Sequence, residues 1–372
     1  MALGELPDYP WDLMAPYAAR ARAHPDGLVD LSIGSPVDAT PDLIREALAV
    51  ATDAHAYPQT IGTPALREAI VEWFGRRRGV PGLTVDAVLP TIGSKELVAF
   101  LPFMLGLGEG DAVAHPRAAY PTYAIGAALA GAQAVAGDDP AEWPENTKLV
   151  WLNSPGNPNG RVLGVEELRA AVERARELGA YVASDECYAE LGWEAPWDAE
   201  RIPSVLDPRV VGDDHHNVIA VYSLSKQSNL AGYRAAFVAG DRAMIARLTN
   251  VRKHAGLMLP APLQAAMVVA VGDEAHVDVQ RERYRARRAE LKPALEAAGF
   301  RIDDSEAGLY LWATEGRDAW ESIGRLADLG ILGGPGVFYG DDYPRHVRLS
   351  LTATDERIAA AASRLHTLGE SL

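Results

Sequence analysis

Residues 148–188, KLVWLNSPGNPNGRVLGVEELRAAVERARELGAYVASDECY, decide the fold. They open on a near-continuous apolar run, KLVWLN (148–153), and close on a second, AYVASDE (180–186). Between them VEELRAAVERAREL (165–178) repeats apolar residues at helical spacing with charges on the other face. Strands apolar on both faces, joined through a helix, build a parallel sheet that is covered on each side. The connection after the first strand, Asn153-Ser154-Pro155-Gly156-Asn157-Pro158-Asn159-Gly160, is a tight, non-repetitive loop. Turn formation accounts for its prolines and glycines. So rigid a loop after so buried a strand also suits a device that holds Asn157 in place.

The same alternation extends outward. DAVLPTIG (86–93) reads as strand and turn, SKELVAFLPFMLGL as a helix, and DAVAH (111–115) as a strand. PTYAIGAALAG is a helix and AQAVAG a strand, and NVIAVYSLSK (217–226) and AAFVAG (235–240) complete the series. After residue 260 the texture changes to a long Arg- and Glu-rich helix (276–298), FRIDD, LYLWAT, a helix over 318–329, HVRLSLT and the helix DERIAAAASRLHTL. The expected fold is α/β: a large domain, 41–260, with a mostly parallel central sheet covered by helices, and a smaller α+β domain, 261–372. Residues 1–40, Pro-rich and irregular, are read as an arm that packs with the small domain or reaches a neighbouring subunit. There is no repeat of fixed period and no Ser/Gly linker.

Composition narrows the function. The 372 residues are 48% hydrophobic and 23% charged, as in folded domains. With 35 basic and 51 acidic side chains the net charge is −16, which repels nucleic acid and anionic lipid and makes neither an expected partner. A local arginine site can still hold an anionic substrate. The opening MALGELPDYPWD lacks a basic stretch leading into an apolar run, and no 18-residue apolar segment occurs, so a cytoplasmic location is expected. The one cysteine, Cys187, leaves no internal disulfide or multi-cysteine metal site, and no metal is expected.

In an open α/β sheet, ligands bind outside the carboxyl ends of the strands. Thr91-Ile92-Gly93-Ser94-Lys95-Glu96 is a glycine turn opening a helix, suited to an anion and equally to an ordinary strand-to-helix turn. Tyr120 and Tyr123 follow the next strand, where a ring stacks on a flat ligand or packs at the surface. Asp185 ends another strand, where burial demands a cation or a capping role, with Tyr188 three residues on. Ser223-Leu224-Ser225-Lys226 places a lysine among hydroxyls at a strand end, where desolvation makes it nucleophilic, and Arg234 lies eight residues beyond. Each signal alone is weak. Their occurrence together, at consecutive strand ends and in one order, is not.

Taken together, SPGNPNG, SDECY and SLSKQSNLAGYR resemble the class I/II aminotransferases of pyridoxal-5′-phosphate (PLP) fold type I. The resemblance runs from Asp30 to the last helix. It implies a PLP cofactor bonded as a Schiff base to Lys226, which also moves the substrate Cα proton. It implies Asp185 on the pyridinium nitrogen and Asn157 and Tyr188 on the ring's phenolic oxygen. It places Tyr120 in the stacking position (with Tyr123 as the other choice), and Gly93, Ser94, Lys95, Ser223, Ser225 and Arg234 about the phosphate. Tyr57 matches a tyrosine that reaches the other subunit's cofactor, implying a homodimer with shared active sites. Arg348 in HVRLSLT matches the arginine that grips the substrate α-carboxylate, and Gly34 a glycine whose backbone lies near the substrate. Asn157 also adjoins the substrate.

Within the family, YPWD, GSKEL, SDECYAELGW, RKHAGLMLPAPLQAAM and GLYLWAT are most similar to actinobacterial N-succinyldiaminopimelate aminotransferases. The implied reaction moves an amino group between L-glutamate and N-succinyl-2-amino-6-oxoheptanedioate. These small-molecule amino and oxo acids need a second cationic contact; Lys95, Arg117, Lys253 and His254 are candidates. Another amino acid aminotransferase or a PLP-dependent C–S β-lyase would share every cofactor residue. A PLP-sensing regulator would need a DNA-binding domain, which the acidic charge disfavours.

Overall fold

The computed structural model describes Leu6 and residues 9–369. Seven strands form the main sheet: β2 (Val88–Ile92), β3 (Ala112–His115), β4 (Gln133–Ala136), β5 (Thr147–Asn153), β6 (Tyr181–Asp185), β7 (Val218–Ser223) and β8 (Ala235–Gly240). β1 (Val29–Asp30) lies elsewhere. The order across the sheet is β2-β8-β7-β6-β5-β3-β4. β3–β4, β3–β5, β5–β6 and β6–β7 pair in parallel. β8 alone is antiparallel to both neighbours, so the sheet is mixed but mostly parallel. Every residue of β7 and β8 is buried, as strands covered on both faces require.

The helix Val165–Glu177 shows how pattern becomes packing. Leu168, Ala171, Val172 and Ala175 form its buried stripe, while Glu166 and Glu167 in the first turn and Arg174 and Arg176 in the last complement its dipole. One core lies on this face of the sheet and includes Trp73, Val172, Tyr222 and Phe237; another, with Leu101, Tyr123 and Trp151, lies on the opposite face. The helix Ala261–Gly272 joins the first of these through Leu263, Met267 and Val271.

A four-stranded antiparallel sheet, in the order β12-β13-β10-β9, uses β9 (Arg301–Asp303), β10 (Tyr310–Thr314), β12 (Gly334–Pro335) and β13 (Val347–Ser350). β1 pairs in parallel with β11 (Ile331–Leu332), so the N-terminal segment shares the core of this C-terminal region. The 23-residue helix Ala275–Ala297 runs beside it. Among the described residues no helix is long and apolar enough to cross a membrane.

Candidate active site

Because β2, β5, β6 and β7 run the same way, their carboxyl ends share one edge of the sheet. Asn153 stands opposite Asp185, and Asp185 opposite Val221. β8 runs the other way and starts at that edge, with Ala235 opposite Ile92, which brings Arg234 beside Gly93. The Gly93 amide donates to the Arg234 carbonyl at 2.8 Å. Gly93 has φ +74°, and a Cβ there would collide with the Arg234 guanidinium. Ser94 opens the helix Ser94–Met104, whose Glu96 is gripped by the fully buried Arg252 at 2.8 Å.

Lys226 does not end a strand. β7 stops at Ser223, which caps one helical turn, Leu224–Gln227, that carries the lysine. The Ser223 hydroxyl donates to Ser225 Oγ at 2.8 Å and accepts from the Ser225 amide at 3.2 Å. The Lys226 amine donates to the Gly34 carbonyl. Burial lowers its pKa from the ordinary lysine value, against the opposing influence of Tyr310 and Cys187.

At the end of β6, Asp185 Oδ2 accepts from the Tyr123 hydroxyl at 3.1 Å and Oδ1 from the Cys187 amide at 3.2 Å. Burial raises its pKa despite those hydrogen bonds, and among the described residues no cation lies within ion-pair distance. Tyr123 is fully buried and stacked on Trp151, with centroids 5.0 Å apart. Tyr120 is half-buried, edge-on to Tyr123, its hydroxyl pushed up to about 12 by burial.

The loop after β5 has a clear purpose. The Asn153 side chain accepts from the Asn157 amide at 2.8 Å and donates to the Pro155 and Asp185 carbonyls at 3.1 and 2.9 Å. So anchored, Asn157 Oδ1 accepts from Arg348 Nη1 at 2.8 Å. Arg348, on β13, is 4% exposed and donates through Nη2 to the Ser32 carbonyl at 2.6 Å, while its Nε has no partner. Its guanidinium lies 3.9 Å from the Tyr310 ring centroid, 4.6 Å from Tyr339 and 6.0 Å from Trp11. Burial works against its charge, but Tyr339, Tyr310 and Tyr188 more than offset this and its pKa is raised.

Lys226, Asp185, Asn157, Tyr188, Gly34, Arg348, Gly93, Ser94, Ser223, Ser225, Arg234 and Tyr120 therefore gather at one edge. Two expected site residues are exposed. Lys95 is exposed, its Nζ 5.9 Å from the Tyr9 ring centroid, and Tyr57 is 94% exposed. Of the other cations, Arg117 is neutralised by Glu142 at 2.8 Å and Asp342 at 3.4 Å, while Lys253 and His254 are exposed at the end of the helix Arg242–Ala255.

Several contributors went unread in the sequence. Glu186 forms a buried pair with Arg78 at 2.9 Å behind Asp185; its only signal was a second acid after an apolar strand. One face of the helix Ala275–Ala297 backs the lysine turn. His276 Nε2 lies 2.8 Å from Ser228 Oγ, Gln280 Oε1 accepts from Asn229 at 2.9 Å, and Tyr284 donates to the Lys226 carbonyl at 3.4 Å. Their spacing of four is one helical face, but nothing local identifies what it meets.

The family model for aminotransferase class I and II matches residues 26–365. The chain is a class I and II aminotransferase. It is 58% identical over 364 residues to the 4-dedimethylamino-4-oxo-anhydrotetracycline transaminase OxyQ of Streptomyces rimosus, covering 97% of this chain and 99% of that one. It is 32% identical over 363 residues to an LL-diaminopimelate aminotransferase of Aquifex aeolicus, covering 92% and 91%. The structure of a probable N-succinyldiaminopimelate aminotransferase from Thermus thermophilus superposes with a TM-score of 0.84 at 27% identity, covering 97% and 100%. Aminotransferases of this family depend on PLP. The residues of this one fit the cofactor: a buried acid without a cation, a buried amine of lowered pKa, and a glycine turn with no room for a Cβ beside an arginine.

Proposed function

We propose that this aminotransferase moves an amino group between L-glutamate and N-succinyl-2-amino-6-oxoheptanedioate, as a succinyldiaminopimelate aminotransferase does. The observation that carries the amino-acid reading is Arg348, a buried guanidinium with an unpartnered Nε and, among the described residues, no carboxylate within ion-pair distance. A guanidinium buried without a carboxylate beside it has no counter-charge in the protein, so its place implies an anion that arrives with the substrate. A planar fork suits an α-carboxylate. The buried Tyr339 hydroxyl, also without a partner, adds a donor beside it.

In this reading Lys226 anchors the cofactor and moves the proton at the substrate Cα, for which a lowered pKa suits it. Asp185 holds the proton on the ring nitrogen. Asn157 and Tyr188 orient the ring oxygen, Tyr120 covers the ring, and Gly34 borders the substrate. Ser94, Ser223 and Arg234, with the Gly93 turn, Ser225 and the Lys95 backbone, hold the phosphate. PLP, when bound there, supplies an electron sink for the carbon that loses its proton. We further propose a homodimer in which the exposed Tyr57 reaches the partner's phosphate. Lys95, which has no ion pair among the described residues, is better placed than the neutralised Arg117 for a distal carboxylate.

The substrate is supported by relatives whose names carry diaminopimelate or N-succinyldiaminopimelate. The OxyQ relationship favours a second reading, a polycyclic oxo acceptor. Visible absorbance of the cofactor-loaded enzyme separates them. Glutamate should bleach the band, and the acceptor that restores it fastest identifies the substrate. If the polycyclic ketone outpaces the succinylated oxo acid, the second reading replaces the first. Release of pyruvate and ammonia from a thioether amino acid would point to a lyase.

A further inference from the structure

The sequence put no role on Tyr310, yet this side chain meets three of the residues gathered at the site, Tyr188, Arg348 and Gly34. Its hydroxyl lies 3.3 Å from that of Tyr188, hydrogen-bonded to it. Its ring stacks against Arg348, 3.9 Å from centroid to guanidinium carbon. A Cβ on Gly34 would collide with its hydroxyl, so the phenol packs directly on the backbone whose carbonyl accepts from Lys226. It is buried on β10, with Trp312, two residues on along the same face, stacked on His346.

From this geometry we propose that Tyr310 is a positioning residue with two separable parts: its ring holds Arg348 for the substrate carboxylate, and its hydroxyl orients Tyr188 and braces the Gly34 backbone on which the Lys226 amine rests. The inference rests on the reading of Arg348 as the carboxylate grip. The ring's share follows from the quadrupole of its face, which attracts a desolvated guanidinium and restricts its fork to one plane. The hydroxyl's share follows from burial. The Tyr188 hydroxyl has no other hydrogen-bond partner among the described residues, so the Tyr310 oxygen decides where its proton lies. Burial raises the pKa of Tyr310, but the charges of Arg348 and Lys226 more than offset it and the net direction is down; the same phenol in turn supports the charged form of Lys226. Glycine at 34 belongs to the same arrangement, since any side chain there would displace the phenol.

Two substitutions separate the parts. Tyr310→Phe keeps the ring and removes the hydroxyl; Tyr310→Leu removes both. Binding of glutarate, an unreactive dicarboxylate, is measured by calorimetry on the cofactor-loaded enzyme, with Arg348→Gln as control. Tyr310→Phe should leave the glutarate Kd within about threefold, and Tyr310→Leu should weaken it by about ten- to thirtyfold. Tyr310→Phe should also lower kcat by about five- to tenfold and move the limb of the pH–kcat profile that reports the Lys226 amine to lower pH. If Phe and Leu behave alike in both measurements, or if Leu leaves the glutarate Kd unchanged while Arg348→Gln weakens it, the two-part role is wrong. If Arg348→Gln itself leaves the Kd unchanged, the carboxylate reading fails instead. The Phe variant keeps the test decisive should the Leu variant not fold.

Discussion

The buried pair behind the site offers the sharpest test of how the fold accommodates a buried charge. Arg78 is 0% exposed and Glu186 1%, and Arg78 Nη2 donates to Glu186 Oε2 at 2.9 Å. Glu186 Oε1 accepts from Ser204 Oγ at 3.0 Å and from the Val205 amide at 2.7 Å. Arg78→Met removes the cation but leaves those two hydrogen bonds, so a carboxylate stays buried without its counter-charge. Breaking such a pair costs about 3–5 kcal/mol. Unfolding entropy of about 2.1 cal/mol/K per residue gives about 0.8 kcal/mol/K for a chain of this length, so Tm should fall by about 4–6 °C. Glu186→Gln keeps the Oε1 acceptor and discards the charge. Arg78→Met/Glu186→Gln should therefore regain about half of the loss. Calorimetric melts at fixed cofactor concentration measure both, since bound cofactor shifts Tm by mass action. A loss below about 1 kcal/mol in Arg78→Met, or a double variant no more stable than the single one, would refute uncompensated charge as the cause.

Other outcomes follow from the site. Arg348→Ala should lower kcat/KM for glutamate by about two to three orders of magnitude, from two lost charge-assisted hydrogen bonds; glutamate turnover within a few-fold of the parent would remove the arginine from its assigned role. Gly93→Ala forces a Cβ into the Arg234 guanidinium at a left-handed φ, so cofactor retention on dialysis, followed by visible absorbance, should weaken by about tenfold or more. Undiminished retention would exclude this turn from the phosphate site. Burial lowers the folded-state pKa of Lys226, so below the ordinary lysine value the unfolded chain binds the additional proton and stability rises with pH. In the cofactor-free protein, Lys226→Met should therefore be more stable than the parent at neutral pH, and its advantage should shrink toward about pH 10.4. An advantage that stays constant over that range would contradict a desolvated lysine.

Legibility followed the range of the interactions. Strand–helix alternation from Val88 to Gly240 was readable because burial on both faces imposes apolar runs over a few residues. The reading of strand into Lys226 overran, since Ser223 caps a turn that only its own hydroxyl contacts reveal. The direction of β8 was not readable: AAFVAG is equally apolar whichever way it pairs, and Arg234 reaches Gly93 only because that strand runs backwards.

The family, the cofactor and the residues that gather at the strand ends could be taken from the sequence by itself, because their types and spacing are set by local turns and by the chemistry each strand end must present. Tertiary structure alone decided which charges remain unpaired. Arg348 lies 191 positions from Asn157, and Arg78 lies 108 from Glu186. Arg117 and Arg348 look alike as letters, yet one is neutralised at the surface by Glu142 and Asp342 and the other is buried without a carboxylate. Tyr310 is likewise an ordinary strand aromatic until folding sets its ring on Arg348 and its hydroxyl against Tyr188. The physical reason is common to all of them: the energy of a charge or a hydroxyl depends on what surrounds it in space, and distant stretches of chain supply those surroundings.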